Sequence, residues 1–331
     1  MKAVVLPAKD AIDVRDVPRP PVGKGEVRVR LKAAALNHRD VWIFKGEYAG
    51  LRYPCTPGSD GAGIVSEVGE EADPSWMGRE VIINPSLDWG ENPRAQADAF
   101  TILGLPRDGT FAEEMVVPVE QLAPKPGHLS WEQAAALPLA GLTAYRALFS
   151  RAALESGEKV LISGIGGGVA VFALQFSVAA GAKVWVTSSS QAKIDRAVQL
   201  GAQGGFLYTE QEWRKAALQE TGGVQVIVDS AGGPGFGNLI DVAAAGARIA
   251  FYGATRGDPP LLPMRKVFWR QLSLLGTTMG SPDDWAALGR FVERHAITPV
   301  VSDIYSLDRA PEAFARMQRG EQFGKIVLAI A

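Results

Sequence analysis

The 331-residue chain has a single cysteine, Cys55. One thiol excludes an intramolecular disulfide and any structural zinc site built on cysteines. Long apolar runs are missing too: no segment approaches the roughly 18 uninterrupted apolar residues of a membrane helix. The opening "MKAVVLPAKDAIDV" breaks its apolar run at Pro7 and Lys9, short of a secretory core. Neither sign of charge dominates, since 34 Lys and Arg against 36 Asp and Glu give a formal net charge of -2, with no basic stripe or acidic block. That balance offers nucleic acid or an anionic membrane no electrostatic partner. A cytoplasmic protein acting on small molecules is expected. The 47% hydrophobic and 21% charged residues describe a globular chain, and its length exceeds one ordinary core, so two domains are expected.

The first 120 or so residues alternate in short segments, such as "EVRVRLKAAAL" and "GAGIVSEVG", between Pro and Gly clusters, which predicts strands. From "HLSWEQAAALPLAGLTAYRALFSRAAL" the period turns helical, with Ser130 and Gln133 placed as a capping box. Then "KVLISG", "VFALQFSVAAG", "KVWVTSS", "QAKIDRAVQLGA", "GFLY", "VQVIVDSAGG", "FGNLIDVAAAG" and "RIAFYGAT" alternate β-branched strands with helices. This pattern predicts a parallel, doubly wound sheet covered on both faces, hence an α/β fold. A strand at "LSLLGTTMG", a helix near Trp285 to His295 and a closing strand "GKIVLAI" suggest a return to the first domain. The polar stretch "DWGENPRAQADAF", Asp88 to Phe100, reads as a solvated loop.

"GIGGGVA", Gly164 to Ala170, sits between the first of these strands and its helix. Such a loop presents unpaired N-H groups and the positive end of a helix dipole to a pyrophosphate. The candidate contacts are Gly166, Gly167, Gly168 and Val169; a packing turn without ligand is the alternative. The second strand ends in Ser188, Ser189 and Ser190, followed by Lys193, with no carboxylate. Hydroxyls and an ammonium suit the 2'-phosphate of NADP(H), whereas a carboxylate would serve the ribose of NAD. Helix capping is the other use of these serines. Tyr208 ends the third strand within reach of the same phosphate or the adenine. Tyr252, Gly253, Ala254 and Thr255 end a later strand at the sheet's C-terminal edge, where they are candidates for the nicotinamide half or form a plain turn.

Several pieces in order, "GEVRVRLKAAALNHRDVWIFKG", "PGSDGAGIVSEVG", "DGTFAEEMVVP", "AALPLAGLTAYRAL", the glycine loop and "QFGKIVL", resemble the medium-chain dehydrogenase/reductase superfamily over essentially the whole length. The resemblance implies a GroES-like β-barrel catalytic domain, residues 1-123 completed by 279-331, and a Rossmann domain over 124-278. Zinc members carry a cysteine in the "LNHRD" region and a His-Glu pair in the "PGSDGAG" turn. This chain has Asn37, and Ser59 with Asp60, so a tetrahedral zinc site is not expected. His38, Cys55 and Asp60 are the remaining metal candidates, and no metal is expected on them. What is left is similar to the zinc-free quinone oxidoreductase branch, also called zeta-crystallin-like. That branch implies Asn37 and Thr143 as catalytic groups facing the nicotinamide, and Ser189, Lys193 and Tyr208 on the phosphate side. Thr278 in "GTTMG" and Lys325 in "QFGKIVL" complete the expected cofactor set.

Without a metal, charge developing on a substrate oxygen needs hydrogen-bond donors: the Asn37 amide, the Thr143 hydroxyl, Arg39, Lys325 or backbone N-H groups near "GTTMG". Such weaker polarisation favours quinones and α,β-unsaturated carbonyls over simple alcohols. Trp42, Phe44, Tyr48 and Tyr53 either line a pocket or build core. An alcohol dehydrogenase-like activity and a non-catalytic NADPH-binding scaffold are the alternatives. A glycine-loop methyltransferase would want an acidic residue where the serines stand. A homodimer, or a dimer of dimers, is expected through the apolar strand "LSLLGTT".

Overall fold

The computed structural model describes Met1-Ala331, and the chain divides into two compact units: Met1-Ala140 with Gly280-Ala331, and Gly141-Met279. The first unit begins with a hairpin, β1 (Lys2-Val5) and β2 (Asp13-Asp16), then the long β3 (Glu26-Ala35), α1 (His38-Phe44) and β4 (Asp60-Val68). Strands β5 (Glu80-Ile83), β6 (Ser86-Leu87), β7 (Thr101-Ile102), β8 (Glu114-Pro118) and β9 (Leu122-Pro124) follow, and then α2 (Trp131-Ala136) and α3 (Pro138-Tyr145). In β3 the alternation fixes the faces, because Val27, Val29 and Leu31 are fully buried while Arg28, Arg30 and Lys32 point away. Arg28 then meets Glu67 of the neighbouring strand at 2.8 Å. Between β6 and β7, residues 90-99 are solvated as expected, but Trp89 is buried, packs edge-on against Phe100 with centroids 5.3 Å apart, and donates its indole N-H to the Asn92 carbonyl.

The second unit alternates strand and helix: β10 (Lys159-Ile162), α4 (Gly168-Ala179), β11 (Lys183-Ser188), α5 (Gln191-Gln199), β12 (Gly204-Leu207), α6 (Trp213-Thr221), β13 (Val224-Asp229), α7 (Phe236-Val242), β14 (Ala243-Phe251), α8 (Met264-Trp269) and β15 (Ser273-Gly276). The six strands are all parallel in the order β12-β11-β10-β13-β14-β15. That is the doubly wound order with its reversal between β10 and β13, where ligands bind at the strands' C-terminal ends. The apolar runs read as buried strands are buried: Val160, Ile162, Val184, Val186, Val226 and Ile227 have no exposed surface.

After Met279 the chain re-enters the first unit as α9 (Pro282-Arg294), β16 (Val301-Ser306), α10 (Ala310-Arg319) and β17 (Lys325-Ala329). Ser281 caps α9 through a box with Asp284, and Phe314 of α10 packs against Phe44 and Phe111. The main sheet runs β16-β17-β3-β4-β5-β9, with β8 on β3. One edge of β3 is shared, residues 26-30 pairing with β8 and residues 33-35 with β17. No pairing joins β16 to β9, so the expected barrel is an unclosed seven-stranded sheet. Sequence reading changes domain at 123/124, but β9 pairs with β5 there and the Ser130-capped α2 lays its buried alanines on β3 and β4. The boundary of the compact units falls later, at 140/141.

Candidate active site

In the first unit, Asn37 lies two residues beyond β3 in extended conformation and caps α1, and it is buried. Both of its ends are engaged: Nδ2 donates to Asp60 Oδ2 at 2.9 Å and to the Ala35 carbonyl at 3.5 Å, and Oδ1 accepts from Lys325 Nζ at 2.6 Å. Lys325 also donates to Asp60 Oδ2 at 2.9 Å. The second Asp60 oxygen accepts the Leu139 N-H, at the start of α3, at 2.7 Å. Asp60 therefore ties together α1, β17 and α3 through a buried ion pair whose side chains are 0% and 3% exposed. Sequence reading missed Asp60 as this centre. Its signal was a carboxylate entering an apolar strand, "SDGAGIV".

Beside it, Ser59 Oγ donates to the Leu103 carbonyl at 2.7 Å and accepts from Arg39 Nη1 at 2.8 Å. The Arg39 guanidinium lies 4.9 Å from the Tyr48 ring centroid. Phe44 and Tyr53 build core: Tyr53 donates to the Ile43 carbonyl at 2.5 Å, and Phe44 packs on Phe314.

Asp40 accepts the Asn37 N-H at 2.8 Å and the Gly58 N-H at 3.1 Å. Burial pushes its carboxyl up to about 6, outweighing the Arg39 charge and these two bonds. A carboxyl raised in this way stabilises the fold when protonated; that contribution is full below about 3.8 and is lost as pH rises through about 6. Asp40→Asn, neutral throughout, should gain stability relative to the parent between pH 4 and 7, by at most about 3 kcal/mol. Denaturant titration at both pH values reads the difference, and a pH-independent difference contradicts it.

In the second unit, the glycine loop leaves β10 with Gly164 N-H donating to Thr187 Oγ1 at 3.1 Å. Gly166 has φ +135°, a backbone conformation open to glycine alone. Gly167 caps α4 without a side-chain hydrogen bond, so the helix's first N-H groups, from Gly168 and Val169 onward, have no side-chain acceptor. Lys193 lies across this loop: a Cβ at Gly166 would stand 3.0 Å from its Cδ and 3.1 Å from its Nζ. Ser188 is buried, its Oγ accepting the Ser190 N-H at 3.1 Å, while Ser189 is exposed. Ser190 stands at the N-cap of α5 but makes no cap bond with its side chain. Tyr208 is exposed and tied to this corner by its N-H to the Ser188 carbonyl. The loop, the serines, Lys193 and Tyr208 are thus brought together at one edge of the sheet.

The Tyr252-Thr255 segment turns back on Ser230. Tyr252 N-H bonds the Asp229 carbonyl, Thr255 N-H bonds that of Ser230, and a Cβ at Gly253 would come within 3.1 Å of the Ser230 oxygen. The Tyr252 hydroxyl bonds Ser230, and burial holds it well above its ordinary value. Ala254 and Thr255 are exposed at the edge. Thr278 is half-buried after β15, and Thr143 is buried on α3. Sequence reading also missed the buried Ser163-Asp229 hydrogen bond, which joins the ends of β10 and β13 at the sheet's reversal.

Two family models match: the alcohol dehydrogenase GroES-like domain over residues 23-127, and the zinc-binding dehydrogenase domain over residues 168-294. A zinc-type alcohol dehydrogenase-like protein of Schizosaccharomyces pombe is 36% identical over 316 residues, covering 92% of this chain and 91% of that protein. The chain belongs to the medium-chain dehydrogenase/reductase superfamily. A crystal structure titled as an NAD-dependent alcohol dehydrogenase matches this superfamily member with TM-score 0.95 and 41% identity, covering 100% of both chains. A 2-octenoyl-CoA carboxylase reductase in complex with NADP and 2-octenoyl-CoA matches with TM-score 0.91 and 25% identity, covering 99% and 87%. The chain is an oxidoreductase of this superfamily.

The zinc named in one model does not suit the residues present. Asp60 has both oxygens engaged and an ammonium at 2.9 Å, where a dication would be repelled. The neighbouring side chains are an amide and a hydroxyl, and no three His, Cys, Asp or Glu converge as a ligand group. Cys55 is buried with its thiol pushed up to about 11, chiefly by desolvation, which keeps it from acting as a thiolate.

Proposed function

We propose that this oxidoreductase is an NADPH-dependent, zinc-independent reductase of α,β-unsaturated carbonyls or quinones. The observation that carries the reading is the Lys325 ammonium bonded to Asp60 and Asn37, a fixed organic cation in the position where zinc members hold ligands. With no Lewis acid to polarise a simple carbonyl, acceptors already poised for reduction are favoured. Bound NADPH would supply the hydride. Gly166, Gly167, Gly168 and Val169 would face its pyrophosphate, and Ser189, Lys193 and Tyr208 its 2'-phosphate. Ser188 would support that corner through its turn bond, and Tyr252-Thr255 with Thr278 would meet the nicotinamide half. The Asn37 amide, engaged at both ends, and Lys325 would orient the first unit's groups, and Thr143 would face the nicotinamide.

The relative titled NAD-dependent makes NADH the competing cofactor. A melting-temperature comparison separates the two: NADPH should raise the transition more than equal NADH, and equal or greater stabilisation by NADH contradicts the assignment. Alcohol dehydrogenase-like activity is the second reading, favoured by the names of two relatives.

We further propose a homodimer. Strand β15 ends the parallel sheet with one edge unpaired, and α8 beside it exposes Met264, Phe268 and Trp269, the last 81% exposed. Light scattering should give twice the monomer mass for the parent and the monomer mass for Trp269→Asp; a monomeric parent contradicts the proposal.

A further inference from the structure

A cleft of about 580 Å³ opens within the first unit, between the β1-β2 hairpin, the segment that leaves β2, and β8. That volume suits a small molecule. Its lining includes none of the residues proposed above for hydride transfer. Val5, Ala112 and Met115 form a buried apolar floor, and Pro18, Pro20 and Pro21 make one wall. Cys55 and Thr56 lie on the same floor, each 7% exposed. The Thr56 N-H donates to Asp108 Oδ1 at 2.8 Å and its carbonyl accepts the Gly109 N-H at 2.7 Å, but its hydroxyl has no partner in the chain. A hydroxyl buried in that state costs stability until a polar group meets it.

The carboxylates at the mouth are all engaged. Glu26 accepts from Arg107 and from the Gly23 N-H, both at 3.0 Å, and Glu114 lies 3.3 Å from Arg19 and 3.5 Å from Arg28. Asp108 holds the Thr56 N-H. Arg15 lines the cleft too, and it forms no ion pair. The charge left over at the mouth is therefore positive, above an apolar floor with one unsatisfied hydroxyl.

We propose that this cleft is a ligand site separate from the hydride-transfer groups, and that it takes an apolar monocarboxylate bearing a hydroxyl at its far end. The apolar body covers Val5, Ala112, Met115 and the three prolines, which removes their remaining surface from water. Its carboxylate meets the Arg15 guanidinium at the mouth, a charge-assisted contact that no carboxylate of the chain makes. Its hydroxyl meets that of Thr56 on the floor. A cationic ligand is disfavoured, because each carboxylate of the lining is already bonded and Arg15 would repel it.

Cys55 is the only thiol of the chain and lies on the floor, so its alkylation reads occupancy of the cleft. Burial pushes the thiol up to about 11, which makes the reaction slow. Iodoacetamide at about pH 8, followed by mass spectrometry of the intact chain, measures the rate. The probe 6-hydroxy-2-naphthoate should slow alkylation at least about 10-fold at saturation, with half-protection below about 1 mM. Its neutral amide, 6-hydroxy-2-naphthamide, should need at least about 10-fold more, and 2-naphthoate, which lacks the hydroxyl, about 5-fold more. Arg15→Gln should bring acid and amide within about 2-fold of each other, and Thr56→Val should do the same for the two acids, with the melting temperature of both variants kept. No protection by the hydroxy acid at about 10 mM overturns the assignment. So does equal protection by acid and amide in the parent, or protection that neither variant alters.

Discussion

Asp60→Ala should lower the stability of the chain by about 3-5 kcal/mol, the range for leaving one partner of a buried ion pair behind. Three bonds go with the carboxylate: those from Asn37 and Lys325 to one oxygen and from the Leu139 N-H to the other. What remains is an ammonium 2% exposed with only an amide oxygen to meet its charge. Lys325→Met combined with Asp60→Ala removes the orphaned charge as well. The double variant should therefore be more stable than Asp60→Ala alone, although two residues are changed. Denaturant titration of the parent, both single variants and the double variant closes the cycle. Additive losses would show that the pair carries no coupling, and would remove the reason for treating the Asn37-Asp60-Lys325 group as one unit.

Lys193→Glu should weaken NADPH binding by about 100-fold or more, in line with the 2-5 kcal/mol lost when a hydrogen-bonded charge pair is broken. NADH affinity should change by less than about 5-fold. The asymmetry comes from position. Lys193 crosses the glycine loop at Gly166, in the same corner as the exposed Ser189 and Tyr208, so a glutamate there repels a 2'-phosphate and tolerates a ribose hydroxyl. Fluorescence titration with both cofactors reads the two constants. Equal losses would place the Lys193 ammonium on the shared pyrophosphate and return the choice between NADPH and NADH to Ser189 and Tyr208.

The second unit was legible because its central strands β10, β11 and β13 are short, mostly buried runs rich in Val and Ile, and helices follow its strands at regular spacing. That regularity predicts parallel pairing without any long-range information. The first unit was legible as strands but not as a closed or open sheet, because β3 divides one edge between β8 and β17, and partners so far along the chain leave no mark on its own alternation. The expected boundary at 123/124 differs from the division of the compact units at 140/141 for a related reason: α2 has the helical period of the segments after it, yet its alanines are buried against strands that precede it.

At the site, the glycine loop and Lys193 could be paired from spacing, since both lie within one strand-helix-strand unit. Ser188 could not be told from Ser189 in a run of like residues, and only burial separates the turn-forming hydroxyl from the exposed one. The Asn37 amide read as a free donor because its partners, Asp60 and Lys325, are 23 and 288 residues away.

The most direct measurement is NADPH oxidation with crotonaldehyde by protein dialysed against a chelator, with bound zinc measured on the same sample. Turnover that persists at less than one zinc per ten chains, and that exceeds turnover with equal NADH, is the predicted result. Activity that vanishes on chelation and returns in proportion to added zinc would contradict the account.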